Sequence, residues 1–136
     1  MVIDTSALVA VLLREKEAEI FAKAIARDPK RLISAFTALE TGVVIEVKKG
    51  EAGGREFDLL VHRAGIDIIP MNGEQFQIAR VAWRTYGKRR HPAGLNIGDC
   101  CSYALAKYAG EALLYKGDDF SKTDIRSAEF ILSGVE

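Results

Sequence analysis

Short apolar runs and amphipathic helical stretches take turns along the whole chain, and this alternation restricts the fold more than any other feature. Met1-Val2-Ile3-Asp4-Thr5 opens as a short buried strand ending on a carboxylate, with Ser6 placed to cap a helix running through Leu8, Val11 and Leu12. Residues 15–26 set Ile20, Phe21, Ala24 and Ile25 on one helical face until Asp28-Pro29 stops them. Residues 31–34 read as a second strand. Residues 37–49 read as a helix with Leu39, Val43, Val44 and Val47 on its core side, and Gly50 stands where a helix end favours a left-handed residue. A further helix is expected over 55–64, a third strand over 66–70 and a helix over 74–86. Residues 87–98 combine Gly, Pro and charge and form the one long loop. Asp99 then opens a helix to Tyr108, residues 112–116 make a fourth strand before the turn Gly117-Asp118-Asp119-Phe120, and residues 129–132 a fifth, edge strand. Strands separated by helices predict one domain over residues 1–136: a three-layer α/β/α sandwich around a central, mainly parallel sheet of four to five strands.

Composition narrows the class further. At 136 residues and 49% hydrophobic, the chain is long and apolar enough to offset its ordering entropy, which excludes disorder as the main state. Cys100 and Cys101 are adjacent, a spacing that suits neither a disulfide scaffold nor a CxxC motif, so reduced thiols and a cytoplasmic location are expected. Asp4 interrupts the N-terminus before a signal sequence can form. The longest apolar run, residues 7–13, is far short of the roughly 20 needed to span a bilayer, so no membrane association is expected. The net charge of zero hides a segregation: residues 75–98 hold no acid and carry Arg80, Arg84, Lys88, Arg89 and Arg90. A polyanion is attracted locally to such a segment even when the protein is neutral overall.

In open parallel sheets the functional crevice lies at the carboxyl ends of the strands. Asp4 ends the first strand, Asp99 opens the helix that leads to the fourth, and Asp118 with Asp119 follows that strand directly. Glu40 sits among Leu39, Val43, Val44 and Val47 on its helix, and a carboxylate placed against apolar surroundings needs compensation. A hard cation supplies it, and acids without His or Cys partners exclude a typical zinc site. Taken singly, Asp4 and Asp99 are also ordinary helix caps, Asp118-Asp119 an ordinary turn and Glu40 an ordinary solvated helix residue. Their convergence on one sheet edge is what points to chemistry.

The order Met1-Val2-Ile3-Asp4-Thr5-Ser6-Ala7-Leu8, then Glu40, then Gly98-Asp99-Cys100 followed by Tyr103-Ala104-Leu105-Ala106-Lys107, then Leu113-Leu114-Tyr115-Lys116-Gly117-Asp118-Asp119-Phe120, resembles the PIN-domain ribonucleases of the VapC toxin type across nearly the entire chain. The resemblance implies a Mg²⁺- or Mn²⁺-dependent endoribonuclease, the toxin of a toxin–antitoxin pair, held inactive by a VapB-like antitoxin and usually a homodimer. It matches Asp4, Glu40 and Asp99 to the family's first three acidic positions. The fourth falls on Asp118 or Asp119, because the family's usual slot is occupied here by Gly117.

Hydrolysis of a phosphodiester needs an activated water and neutralisation of the charge that develops on the phosphorane oxygens. Asp4 and Asp99 are expected as direct metal ligands, Glu40 as the residue orienting water or acting as base, and Asp118 or Asp119 as the completing acid, with one or two ions held. Arg84, Lys88, Arg89 and Arg90 are expected to hold the RNA backbone, with Tyr86 or His91 available for stacking. Ser6 is read as a helix cap, and His62, His91, Cys100 and Cys101 are assigned no catalysis. An aspartate-nucleophile phosphatase wants Asp-x-Asp where this chain has Asp4-Thr5-Ser6, and a phosphorelay receiver wants an acidic pair on its first strand, so both fit worse. A catalytically inactive PIN-like module that binds RNA or protein remains the alternative.

Overall fold

A computed structural model describes residues 1–128. Four strands, β1 (Val2–Ile3), β2 (Leu32–Ser34), β3 (Asp67–Ile69) and β4 (Leu113–Leu114), form one sheet in the order β3-β2-β1-β4. Every pairing is parallel, with Val2 opposite Leu32 and Leu113, and Ile3 opposite Leu114. The helices are α1 (Thr5–Leu12), α2 (Ala18–Arg27), α3 (Ala35–Arg63), α4 (Gly73–Tyr86) and α5 (Ile97–Ala109). Successive strand residues point to opposite faces, so β1, β2 and β4 each feed two cores. Ile3, Ile33 and Leu114 pack with Ala7, Leu8, Phe21 and Ile45 on the face covered by α1, α2 and α3. Val2, Leu32 and Leu113 pack with Ala82, Tyr103 and Leu105 on the face covered by α4 and α5. This is the expected α/β/α sandwich, and its centre is uniformly apolar because β1 and β4 are buried on both faces.

Several expected elements differ in extent. The third and fourth strands are shorter than residues 66–70 and 112–116 suggested, and α5 begins two residues before Asp99. Residues 35–63 form two helical stretches joined at a kink at Gly50, whose φ of 66° and ψ of −164° depart from the helix, with the positive φ expected there. The long loop is closed on itself: Gly87 bridges to Leu95, the Lys88 amide donates to the Leu95 carbonyl at 2.9 Å, and Leu95 is fully buried. The fifth strand expected at 129–132 lies outside the described residues. Among the described residues, no helix is long and apolar enough to cross a membrane.

The largest correction concerns α3. Leu39, Val43 and Val47, expected to face the core, are 66%, 54% and 81% exposed. Thr37, Thr41 and Ile45 are fully buried in their place. A helical period identifies a stripe but not which stripe meets the sheet, and the tight space beneath α3, where Thr37 meets Ser102 at 3.3 Å, takes threonines rather than leucine or valine. Glu40 therefore borders the buried stripe instead of being surrounded by apolar side chains.

Candidate active site

The carboxyl edge of the sheet collects acids from separate elements. Asp4 leaves β1 with extended backbone and caps α1, accepting from the Ser6 amide at 3.0 Å and the Ser6 hydroxyl at 2.7 Å through Oδ2. Its Oδ1 accepts from the Ser102 hydroxyl of α5 at 2.6 Å, and the residue is only 3% exposed. Three donors fix this buried carboxylate in place and compensate its charge. The cap and the site are thus one feature, since the turn that starts α1 also aims Asp4 at the crevice.

Glu40 reaches the same place from α3. Thr5 donates to its Oε1 at 2.7 Å, which leaves Oε2 open to a water or an ion. Its carboxylate lies against Gly98, where a Cβ would come within 2.6 Å of Oε1 and 2.7 Å of Oε2. Asp99, next along α5, closes a capping box with Asn96: its amide donates to Asn96 Oδ1 at 2.8 Å, and its Oδ2 accepts from the Asn96 amide at 3.0 Å.

Burial pushes the Asp99 carboxyl up to about 6, against the Asn96 amide, which lowers it, and with the charges of Asp4, Asp119 and Glu40 adding to the rise. The structure thus brings Asp4, Glu40 and Asp119 within electrostatic reach of Asp99. The adjacent pair after β4 is exposed at both positions. Asp119 is the member whose charge acts on Asp99, while the Asp118 carbonyl accepts from the Ser121 hydroxyl. Among the described residues, no three acid, histidine or cysteine side chains are already gathered into a metal-ligating group.

The raised Asp99 carboxyl has a stability consequence. The folded state holds this proton more tightly than the unfolded chain, where the group titrates near ~3.9. Its stabilising contribution is complete below about pH 4 and is lost as pH rises through 6, by roughly 1–3 kcal/mol, the lower figure allowing for partial solvation. Denaturant unfolding between pH 4 and 7 is expected to show this fall in the unmodified chain and a flatter profile in Asp99→Asn.

A PIN domain family model matches residues 1–126, which contain all of these acids. The chain is a PIN domain. Over 92% of its length it is 57% identical to VapC ribonuclease Mb0640 of Mycobacterium bovis and to Ribonuclease VapC30 of Mycobacterium tuberculosis, in each case covering 95% of the relative. It is 54% identical to Ribonuclease VapC of Mycolicibacterium smegmatis over 92% of the chain and 97% of that relative. Among solved structures, Mycobacterium tuberculosis VapC20, a sarcin-ricin-loop-cleaving toxin, superposes with a TM-score of 0.77 over 96% of this chain and 98% of that one, at 14% identity. A toxin–antitoxin complex from Klebsiella pneumoniae gives 0.67 over 90% and 92%, at 19% identity.

In this PIN domain the basic segment lies on α4 and the closed loop. Arg84, Lys88, Arg89 and Arg90 are all exposed, as RNA binding would need. Of the residues expected to be available for stacking, both half-buried, Tyr86 packs edge-on to His91 at 5.1 Å and against Tyr103 at 5.9 Å, and His91 Nδ1 accepts from the Ala93 amide. Phe76 and Trp83, also on α4, are exposed. Ser102, Thr5 and Gly98 join the site without having been expected from the sequence. Ser102 stands one turn after Asp99 on α5, a spacing that puts a hydroxyl on the same helix face and that offered a signal. Nothing local marks the pairing of Thr5 or Gly98 with Glu40, which is distant in sequence.

Proposed function

We propose that this PIN domain is a divalent-metal-dependent endoribonuclease and the toxin of a VapBC-type pair. What supports the reading is that the charges of Asp4, Glu40 and Asp119, from three other places in the chain, all act on Asp99, while hydrogen bonds from Ser102 and Thr5 hold Asp4 and Glu40. The donor set suits Mg²⁺ or Mn²⁺. It is all oxygen, the donor type that hard divalent cations prefer. Asp4 and Asp99 would hold the ion, with Asp119, or its neighbour Asp118, completing the shell. When bound, it supplies Lewis-acid stabilisation of developing phosphorane charge and acidifies the attacking water.

The chain's own groups do the rest. Ser6 and Ser102 hold Asp4 in its orientation. Thr5 holds one oxygen of Glu40, so that the other orients the water or takes its proton. Asp99 gives up its proton near pH 6 and binds as a carboxylate above it. Arg84, Lys88, Arg89 and Arg90 hold the RNA phosphates, so reversing these charges should reduce the salt dependence of binding by roughly 0.7 in log–log slope for each phosphate released.

Ser102 acts through Asp4 as a positioning residue. Ser102→Ala is expected to weaken Mn²⁺ binding about 10- to 100-fold in calorimetry, and Ser102→Thr, which keeps the hydroxyl, to restore most of it.

The exposed Leu39, Val43 and Val47 face on α3 is the surface we assign to a VapB-like antitoxin, because an apolar helix stripe left in water invites a partner segment. The toxin itself is read as a homodimer, and sedimentation at micromolar concentration checks that. Incubation of structured RNA with the unmodified chain tests the whole reading. Cleavage is expected with Mg²⁺ or Mn²⁺, with loss in EDTA and products bearing 5′-phosphates, because water attacks. Full activity in chelator, or 2′,3′-cyclic phosphate ends, would contradict it; binding without cutting under every metal condition would establish the inactive module.

A further inference from the structure

The acidic turn after β4 has little regular structure of its own: residues 115–119 belong to no helix or strand, and Phe120–Lys122 make a single 3₁₀ turn. Tethers at its two ends fix it instead. At the entry, the Lys116 amide donates to Ser6 Oγ at 3.0 Å, and that hydroxyl donates in turn to Asp4. At the exit, Asp124 is held by α5: the Tyr103 hydroxyl donates to its Oδ1 at 2.5 Å and Lys107 Nζ to its Oδ2 at 2.8 Å. Between turn and tether, the Thr123 hydroxyl donates to the Phe120 carbonyl at 2.7 Å and accepts from the Ile125 amide at 3.2 Å.

Asp99, Tyr103 and Lys107 follow one another at intervals of four on α5 and share one stripe of that helix. The segment after β4 runs along this stripe, with the charge of Asp119 acting on Asp99 and Asp124 bonded to the two residues further down. Phe120 and Ile125, 3% and 8% exposed, are buried in the same core as Tyr103 and Leu105. Apolar burial is non-directional: it holds the segment down without setting where along α5 it rests. The bonds of Asp124 are directional and do set it. A slip by one residue would carry Asp119 roughly 3.3 Å along the helix, whereas about 1 Å at a positioning group already costs on the order of 10² in rate.

We propose that Asp124 is a positioning residue of the nuclease site, which fixes the register of the acidic turn on α5 and thereby sets Asp119 beside Asp99. The inference rests on the nuclease reading above and deepens it by giving the completing acid a dedicated support. Both Asp124 oxygens are engaged by donors of α5, so the residue serves as a support and not as a ligand. The rival reading is a plain tie between the chain's last described segment and the fold. An ion pair as exposed as Lys107–Asp124 contributes little to stability, so the two readings differ most at the site.

Mn²⁺ titration by calorimetry of the unmodified chain, Asp124→Ala, Asp119→Asn and the double variant reads the support without turnover. Asp124→Ala should weaken Mn²⁺ binding at least about tenfold, and Asp124→Asn, which keeps an oxygen for the Tyr103 hydroxyl, should recover most of the loss. Tyr103→Phe, which deletes only the hydroxyl, should reproduce part of it and carries the same cycle if Asp124→Ala does not fold. In the Asp119→Asn background, Asp124→Ala should cost less than about a further twofold, because the acid it positions is already gone. A full tenfold loss in that background would overturn the proposal, since Asp124 would then act through the fold as a whole. Unchanged Mn²⁺ affinity in both Asp124→Ala and Tyr103→Phe would overturn it as well. Mn²⁺-dependent cleavage of structured RNA by the unmodified chain is measured alongside: its absence would remove the nuclease reading, while the Mn²⁺ cycle still decides for or against the support.

Discussion

Asp4→Asn is expected to reduce RNA cleavage by roughly 10³-fold or more, because about 4 kcal/mol of charge stabilisation in the transition state is lost with a metal-binding carboxylate. The substitution keeps the side chain's shape, and the fold should survive it. The Asn carbonyl oxygen can still accept from the Ser6 amide, and the Ser102 hydroxyl can turn to accept from the new amide group, so the stability cost should stay near about 1–2 kcal/mol. The expected signature is therefore a near-native melting curve with activity almost gone. Retention of more than a tenth of the activity would mean that Asp4 is only the cap of α1, the modest role that its bond to Ser6 already provides.

Gly98→Ala should separate stability from activity in the opposite sense. The position lies in the first turn of α5, where alanine is a better helix former than glycine by about 1 kcal/mol. The added Cβ, however, falls 2.6–2.7 Å from both Glu40 oxygens. The obstructing atoms are the far end of a flexible side chain, so the protein relieves the clash by moving Glu40 and not by unfolding. That movement breaks the Thr5 bond and carries the carboxylate away from the crevice. A displacement of about 1 Å in a positioning group is enough to cost on the order of 10² in rate. Unfolding transitions and cleavage rates measured on the same variant should diverge, with an unchanged or raised melting temperature and about a hundredfold loss of activity. An active Gly98→Ala protein would place Glu40 outside the chemistry.

The two predictions draw on features of unequal visibility in the sequence. The sheet was legible because β1 and β4 are covered on both faces, which leaves compact apolar runs such as Val2-Ile3 and Leu113-Leu114. Asp4 and Asp99 were legible because each stands at an element boundary, where topology alone assigns it to the functional edge. Glu40 was placed in the site for a mistaken reason: the apolar residues around it face outward, and its position depends on Thr5 and Gly98, neighbours that only the folded chain brings to it. Hydroxyl donors such as Ser102 leave no charge pattern to read. The choice between Asp118 and Asp119 depends on the conformation of one turn, which adjacency in sequence does not specify. The outward face of α3 was hidden because hydrophobic periodicity reports a stripe without saying whether the fold or a partner covers it.

The central claim is that acids far apart in the chain share one divalent ion, and Mn²⁺ titration by calorimetry at pH 7.5 tests it most directly. The unmodified chain should bind Mn²⁺, and Asp4→Asn and Asp99→Asn should each weaken that binding at least about tenfold while remaining folded. Affinities that stay the same in both variants would show that these carboxylates do not hold the ion, and the metal-dependent mechanism would fail with them.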